Sequence, residues 1–163
     1  MFQLEPVTLI MSCLLMCAFS APFIYHGFQN REKNNKLIAH LTELAQSKSA
    51  NPKEIETWRY QYALGIDLYQ NVLVYVRHGI DSFSSCLDLG DYGKVNLIKN
   101  FQNPTTTAQT QKLPEFVALE LVPKVASKEV VLLEIYDAEH YSDLLGETVL
   151  AEKWFELIKN QLK

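Results

Sequence analysis

Acid–base chemistry needs carboxylates and imidazoles held close together. The densest such group in the chain is the run Tyr136-Asp137-Ala138-Glu139-His140-Tyr141. An acid beside an imidazole is half a metal site or a general-base pair. Asp137, Glu139 and His140 fall where a strand pattern gives way to a helix pattern, and polar residues there usually cap or solvate a turn. Cys86 and His78 are a thiol and a base, the parts of a nucleophilic pair. No spacing brings them together, and Cys86 reads as a buried strand cysteine. Ser82, Ser84 and Ser85 lack the Gly-x-Ser-x-Gly elbow that exposes a nucleophilic serine. His40 has no second ligand near it in sequence and reads as a solvated or capping side chain. Cys13, Cys17 and Cys86 are an odd, sparse set without a CxxC spacing, so no disulfide framework or zinc site is expected. The six glycines are scattered at turns and form no phosphate-binding loop. The expectation is a protein that is not an enzyme and carries no metal or cofactor.

Charge narrows the partners. From Glu54 to Lys163 there are 16 acidic and 10 basic residues, a balance of −6. Phosphate backbones and anionic lipid need clustered Lys and Arg, so nucleic acid is excluded as an expected partner and broad docking on anionic lipid is disfavoured. The layout is uneven. No Asp, Glu, Lys or Arg occurs among the 25 residues from Pro6 to Asn30.

That window must be positioned by something apolar. Val7 to Phe28 gives 22 uncharged residues, whereas a spanning helix needs about 20 and a signal-peptide core only about 7–15. Pro6 suits a helix start. Pro22 is expected to kink the helix or mark its last turns. Tyr25 and His26 suit a headgroup-level interface. The reading is a retained single span, residues 1–30. Signal cleavage near Ala18-Phe19-Ser20-Ala21 is the alternative, which would leave the domain periplasmic or secreted; lipidation at Cys13 fits less well. Arg31, Lys33 and Lys36 follow the span while only Glu5 precedes it. Positive flanks stay cytoplasmic, so the C-terminal domain is expected in the cytoplasm. Cys13, Cys17 and Ala21 recur every four residues, a small-xxx-small row that lets helix backbones approach. It offers a packing face for a second copy of the helix or for another membrane protein.

Residues 31–56 read as a juxtamembrane helix and linker. Leu37, Ile38, Leu41, Leu44 and Ala45 have helical period, and Ser47-Lys48-Ser49-Ala50-Asn51-Pro52 ends the helix. Residues 57–163 read as one folded domain. Trp58 to Ile66 alternates apolar and polar as one half-buried strand. Further strands are expected at Val72–His78, Asp81–Leu89, Lys94–Asn100, Glu115–Pro123 and Glu129–Asp137. Phe101 to Pro114 is polar, Thr-rich and bracketed by prolines, a long surface loop. Residues 145–163 return to helical period, with Trp154 as the largest anchor.

The order of strands closed by Leu150-Ala151-Glu152-Lys153-Trp154-Phe155-Glu156-Leu157-Ile158-Lys159-Asn160-Gln161-Leu162 resembles a pleckstrin-homology-like barrel. Tyr62-Ala63-Leu64-Gly65-Ile66-Asp67-Leu68-Tyr69-Gln70-Asn71-Val72-Leu73-Val74-Tyr75-Val76 resembles the first hairpin of small bacterial membrane-tethered proteins of that superfold. The resemblance covers about residues 57–163 and rests on element order. It implies an α+β fold: an antiparallel curled sheet or barrel of about six strands closed by a C-terminal amphipathic helix. Lipid-binding members carry a basic first loop; here that loop is Asp67-Leu68-Tyr69-Gln70-Asn71, so phosphoinositide binding does not carry over. The expected role is a membrane-tethered interaction or scaffold domain with a protein partner, an accessory component of a membrane assembly. A small apolar-ligand or lipid module, with a pocket lined by Trp58, Tyr60 or Phe83, is the alternative.

Overall fold

No turn-forming cluster interrupts the chain between Pro6 and Ser47, and one helix runs the whole way. The computed structural model describes residues 6–79, 81–101 and 113–162, and in it α1 spans Pro6–Ser47, 42 residues. That is about 63 Å at 1.5 Å per residue. The expected break between span and linking helix is absent. Helical backbone runs unbroken through residues 30 and 31, Glu32 and Lys36 bridge the next turn at 2.8 Å, and Pro22 lies inside the helix without ending it. The stop comes where Ser, Asn and Pro cluster. Ser49 takes a left-handed φ of 56°, Ala50 N–H donates to the Ala45 carbonyl at 3.0 Å and Ser49 N–H to that of Gln46 at 2.9 Å. These are the two bonds of a Schellman cap.

Seven strands follow: β1 Glu54–Trp58, β2 Tyr62–Asp67, β3 Val72–Arg77, β4 Phe83–Asp88, β5 Tyr92–Phe101, β6 Pro114–Pro123 and β7 Val131–Asp137. Helix α2, Glu147–Gln161, closes the chain. The α+β class holds. The closed barrel and the count of six strands do not. Among the described residues there are two antiparallel sheets, ordered β1-β2-β3-β4 and β5-β6-β7. The extra strand arises because Trp58–Ile66 is a hairpin corner and not one strand. Trp58 pairs with Tyr62, and Gln61 N–H closes the turn on the Trp58 carbonyl at 3.2 Å. Arg59 and Tyr60 both have positive φ, 51° and 53°, the φ signature of a type I′ turn. Of the expected Phe101–Pro114 loop, residues 102–112 lie outside the described residues.

Two apolar clusters hold the layers. The larger lies between the sheets and under α2, built on Trp58, Tyr75, Leu119, Leu133, Ile135 and Trp154. The smaller joins α1 to the outer face of the first sheet through Leu37, Leu41, Ala45, Ala63, Val74 and Val76. Strand β2 is therefore buried on both faces. Gly65 lets α1 approach closely: a Cβ there would lie 2.8 Å from Leu41 Cδ2 and 3.3 Å from Pro52 Cβ. The apolar half of α1 is different. Its 18-residue apolar window has a mean hydropathy of 1.7 and none of it is buried by the fold. The helix is long and apolar enough to cross a membrane, and a signal sequence meets the same description.

Candidate functional site

Sheet edges are where a β domain offers hydrogen bonds to another chain. Each of the two sheets has two. The outer side of β7 meets side chains from the first sheet: Trp58 Nε1–H donates to the Ile135 carbonyl at 2.9 Å and Tyr75 Oη–H to that of Glu134 at 2.7 Å. The register shift between Val117 and Ala118 leaves Ile135 without a partner on β6. The bulge thus presents a carbonyl that the indole satisfies. Strand β1 is tied to α2, since Glu56 accepts from Lys153 and from Trp154 Nε1–H at 2.8 and 2.9 Å. Strand β4 is short and polar, with exposed Phe83 and Ser84.

Strand β5 is also tied to α2, through Lys99 Nζ and Glu152 Oε1 at 2.6 Å, but it is ten residues long and, among the described residues, pairs only with β6. No backbone hydrogen bond reaches its outer side among the described residues. Beside it, α2 contributes Phe155, Lys159 and Leu162 to a groove of about 480 Å³ whose other wall is Gly93–Leu97. Val95, Leu97, Phe155 and Leu162 make the groove apolar. Lys94 is exposed and has no ion pair among the described residues. Lys159 lies over the Phe155 ring, 5.2 Å from its centroid, and is already paired with Glu156 at 3.1 Å, which leaves Lys94 as the groove's cation without an ion pair among the described residues. The groove is thus apolar with a basic margin, on a domain that is acidic as a whole. No family model, curated protein or solved structure matches this chain.

A second cluster sits where β3 ends. A cleft of about 230 Å³ is lined by Tyr62, Arg77, His78, Glu134, His140 and Tyr141, among others. Glu134 organises it. One carboxylate oxygen accepts from Tyr62 Oη–H at 2.7 Å, and the other pairs with Arg77 Nη1. Burial first, and then the Glu134 carboxylate, push the Tyr62 phenol well above its ordinary range, so Tyr62 is a hydrogen-bond donor and not a base. Arg77 is neutralised by Glu134, so it is not available as a free cation to seize an anion. Next to it, His40 Nδ1 lies 3.0 Å from His78 Nε2.

The residues singled out in the sequence are placed as follows. Asp137 Oδ1 accepts from Glu139 N–H at 2.8 Å, and His140 Nδ1 lies 3.6 Å from Asp137 Oδ2; the run organises a turn. Cys86 packs against the α1 cluster and not on His78. Burial pushes its thiol up, which lowers its reactivity. His40 is not a solvated or capping side chain: it is part-buried against His78. Cys13, Cys17 and Ala21 are exposed on α1, uncovered by the rest of the chain. Trp58 is packed in the core with Tyr62 stacked on it at 5.2 Å, Tyr60 is 47% exposed and Phe83 lines a separate small cleft with Tyr75 and Leu132. The three aromatics line no common pocket. Missed in the sequence were the Tyr62–Glu134–Arg77 group and the histidine pair. Arg77 ending an apolar strand and Glu134 inside Val-Leu-Leu-Glu-Ile-Tyr were the available signals.

Proposed function

We propose that this chain is a non-enzymatic interaction domain, anchored in a membrane by α1, that receives an extended segment of a protein partner along β5. One observation carries the reading: among the described residues, β5 is a long sheet edge that is both unpaired on its outer side and flanked by an apolar groove. A strand added there gains main-chain hydrogen bonds, and its alternate side chains fill the groove. Lys94 at its margin, without an ion pair among the described residues, selects an apolar segment with Asp or Glu beside it. Antiparallel strands closed by one terminal helix remain the basis for the pleckstrin-homology-like resemblance. The uncovered apolar half of α1 supports the anchor, and Arg31, Lys33 and Lys36 support a cytoplasmic domain. Cysteine accessibility at exposed Ser84 from each side of the membrane tests the sidedness; labelling from outside the cytoplasm overturns it.

The docking test uses the full chain in non-ionic micelles and a display library of random ten-residue peptides. The expected winners alternate apolar residues and carry a flanking acid. Leu97→Asp abolishes their binding, and Lys94→Glu shifts the preference to basic flanks. Winners unaffected by both substitutions overturn the reading. Tight uptake of a fluorescent fatty acid into the groove, with no peptide selected, replaces it with the apolar-ligand module.

A further inference from the structure

We propose that His40 and His78 form a proton-operated latch between α1 and the first sheet. The chain has four histidines, and three of them gather at one end of the domain. His78 is shared by two adjoining clefts, one lined also by His140 and the other also by His40. His40 comes from α1, just after Leu37, the first buried residue of the helix. His78 follows the last residue of β3. Their rings are 5.3 Å apart, with the Nδ1–Nε2 contact at 3.0 Å. The contact joins α1 to the end of β3 one turn after Leu37, where the helix has already met the sheet.

A nitrogen–nitrogen contact at this distance needs one N–H and one lone pair. With both rings neutral, one donates and the other accepts. A first added proton leaves the contact intact, because an imidazolium donates to an imidazole. A second proton places N–H on both sides and two positive charges in contact, and the latch opens. The surroundings favour the closed form at neutral pH. Burial, and then the neighbouring His40, lower the affinity of His78 for its proton. Arg77, next to it, adds positive charge, although Glu134 of β7 neutralises it. On α1, Lys36 is paired with Glu32, and Glu43 follows His40 by three residues. In the clefts, Asp81, Ser82 and Ser84 face His78, with Tyr62, Tyr141 and His140 on the other side. His140 has Asp137 for its own partner.

The sign follows from the lowered affinity. The latch adds stability that is full above the ordinary histidine range and is lost as pH falls through the folded value of His78. Leu37, on the membrane side of His40, and Leu41 and Ala45 still hold α1 when the latch opens, so acidification weakens the seat of the helix on the sheet without releasing the helix or unfolding the domain.

The test is a histidine titration by long-range ¹H–¹⁵N NMR on the full chain in micelles, from pH 8 to pH 4.5. In the native chain the pair is expected to titrate in two steps, the lower one depressed. In His40→Gln, His78 is expected to titrate in one step, at higher pH than the native lower step. Identical His78 titration in the native chain and in His40→Gln overturns the proposal. Urea midpoints supply the second readout: native stability falls between pH 7 and pH 5, and His40→Gln removes part of that fall. An unchanged fall in the variant also overturns it.

Discussion

Gly65 lies directly beneath Leu41, and its replacement by Ala measures how firmly α1 rests on the first sheet. A methyl group at 65 would meet Leu41 Cδ2 at 2.8 Å, and Leu41 Cδ1 and Pro52 Cβ at 3.3 Å. Carbon atoms are comfortable at about 3.5–4.0 Å, so the worst overlap is roughly 0.7 Å or more. Leu41 is fully buried, so it can yield only by repacking against its close-packed neighbours. Overpacking of this kind costs about 1–3 kcal/mol. The loss of glycine freedom in the unfolded chain returns about 0.4–1 kcal/mol. The expected net loss is therefore about 0–2.6 kcal/mol. Leu41→Ala alone should cost about 2–5 kcal/mol, because it leaves a cavity between helix and sheet. Together the two changes relieve each other, since the new methyl occupies part of the void. The double variant should be more stable than the sum of the single changes by about 1 kcal/mol or more. Urea unfolding of the full chain in micelles, followed by the fluorescence of Trp58 and Trp154, gives all three values. Both tryptophans are in the buried core, so the signal reports the domain. A stabilised Gly65→Ala, or single changes that add to within about 0.5 kcal/mol, would show that α1 and β2 are not in the contact described.

Arg59 reaches Glu147 at 2.5 Å and Asp143 at 3.2 Å, with its guanidinium 4.1 Å from the Tyr141 ring centroid. Arg59→Met strands the Glu147 carboxylate, whose side chain is 3% exposed, and should cost about 3 kcal/mol; adding Glu147→Leu should recover most of it in the same urea assay. Tyr60 is a non-glycine residue at positive φ, so Tyr60→Gly should stabilise by about 1 kcal/mol, read as a higher urea midpoint. Asp67 accepts backbone N–H groups from Asn51 at 2.7 Å, Tyr69 at 2.9 Å and Gln70 at 3.1 Å. These bonds, that of Asn51 foremost, hold its carboxyl below the ordinary range. The stability it contributes is present above the unfolded carboxyl value and is lost as pH falls through the folded one. Asp67→Asn should therefore flatten the fall in urea midpoint between pH 5 and pH 3.

The strands that alternate cleanly, and the terminal helix with its Trp154 anchor, could be read from residue order because each buries one face. The β1–β2 corner could not. Arg59 and Tyr60 are not turn-type residues, and the apolar–polar alternation passes straight through them; the turn is held by Arg59's distant partners Asp143 and Glu147, which no local pattern reveals. The division of α1 into two helices failed for the opposite reason. A change from apolar to charged composition looks like a boundary, but charged residues are good helix formers. The histidine pair was invisible because its members are 38 residues apart and each lacks a local partner. The apolar half of α1 was legible from composition alone, and the structure adds that the fold leaves it uncovered. The groove beside β5 depends on where α2 comes to rest, which sequence order does not specify.

The unbroken course of α1 turns the proposed anchor into a shaft. From Phe28 to Leu37 there are nine residues, about 14 Å of helix, with no flexible joint along the way. A flexible tether would let the domain sample every orientation over the bilayer. A shaft fixes which face of the domain looks along the membrane and which looks away. It also transmits rotation: one residue inserted between Asn30 and Lys36 advances the helix by about 100°, and the β5 groove would swing by the same angle around the axis of the span. Removing four residues there would turn it by about 40° and draw it roughly 6 Å closer to the bilayer. A partner fixed in the same membrane would sense such a change in phase, whereas a partner diffusing in solution would not.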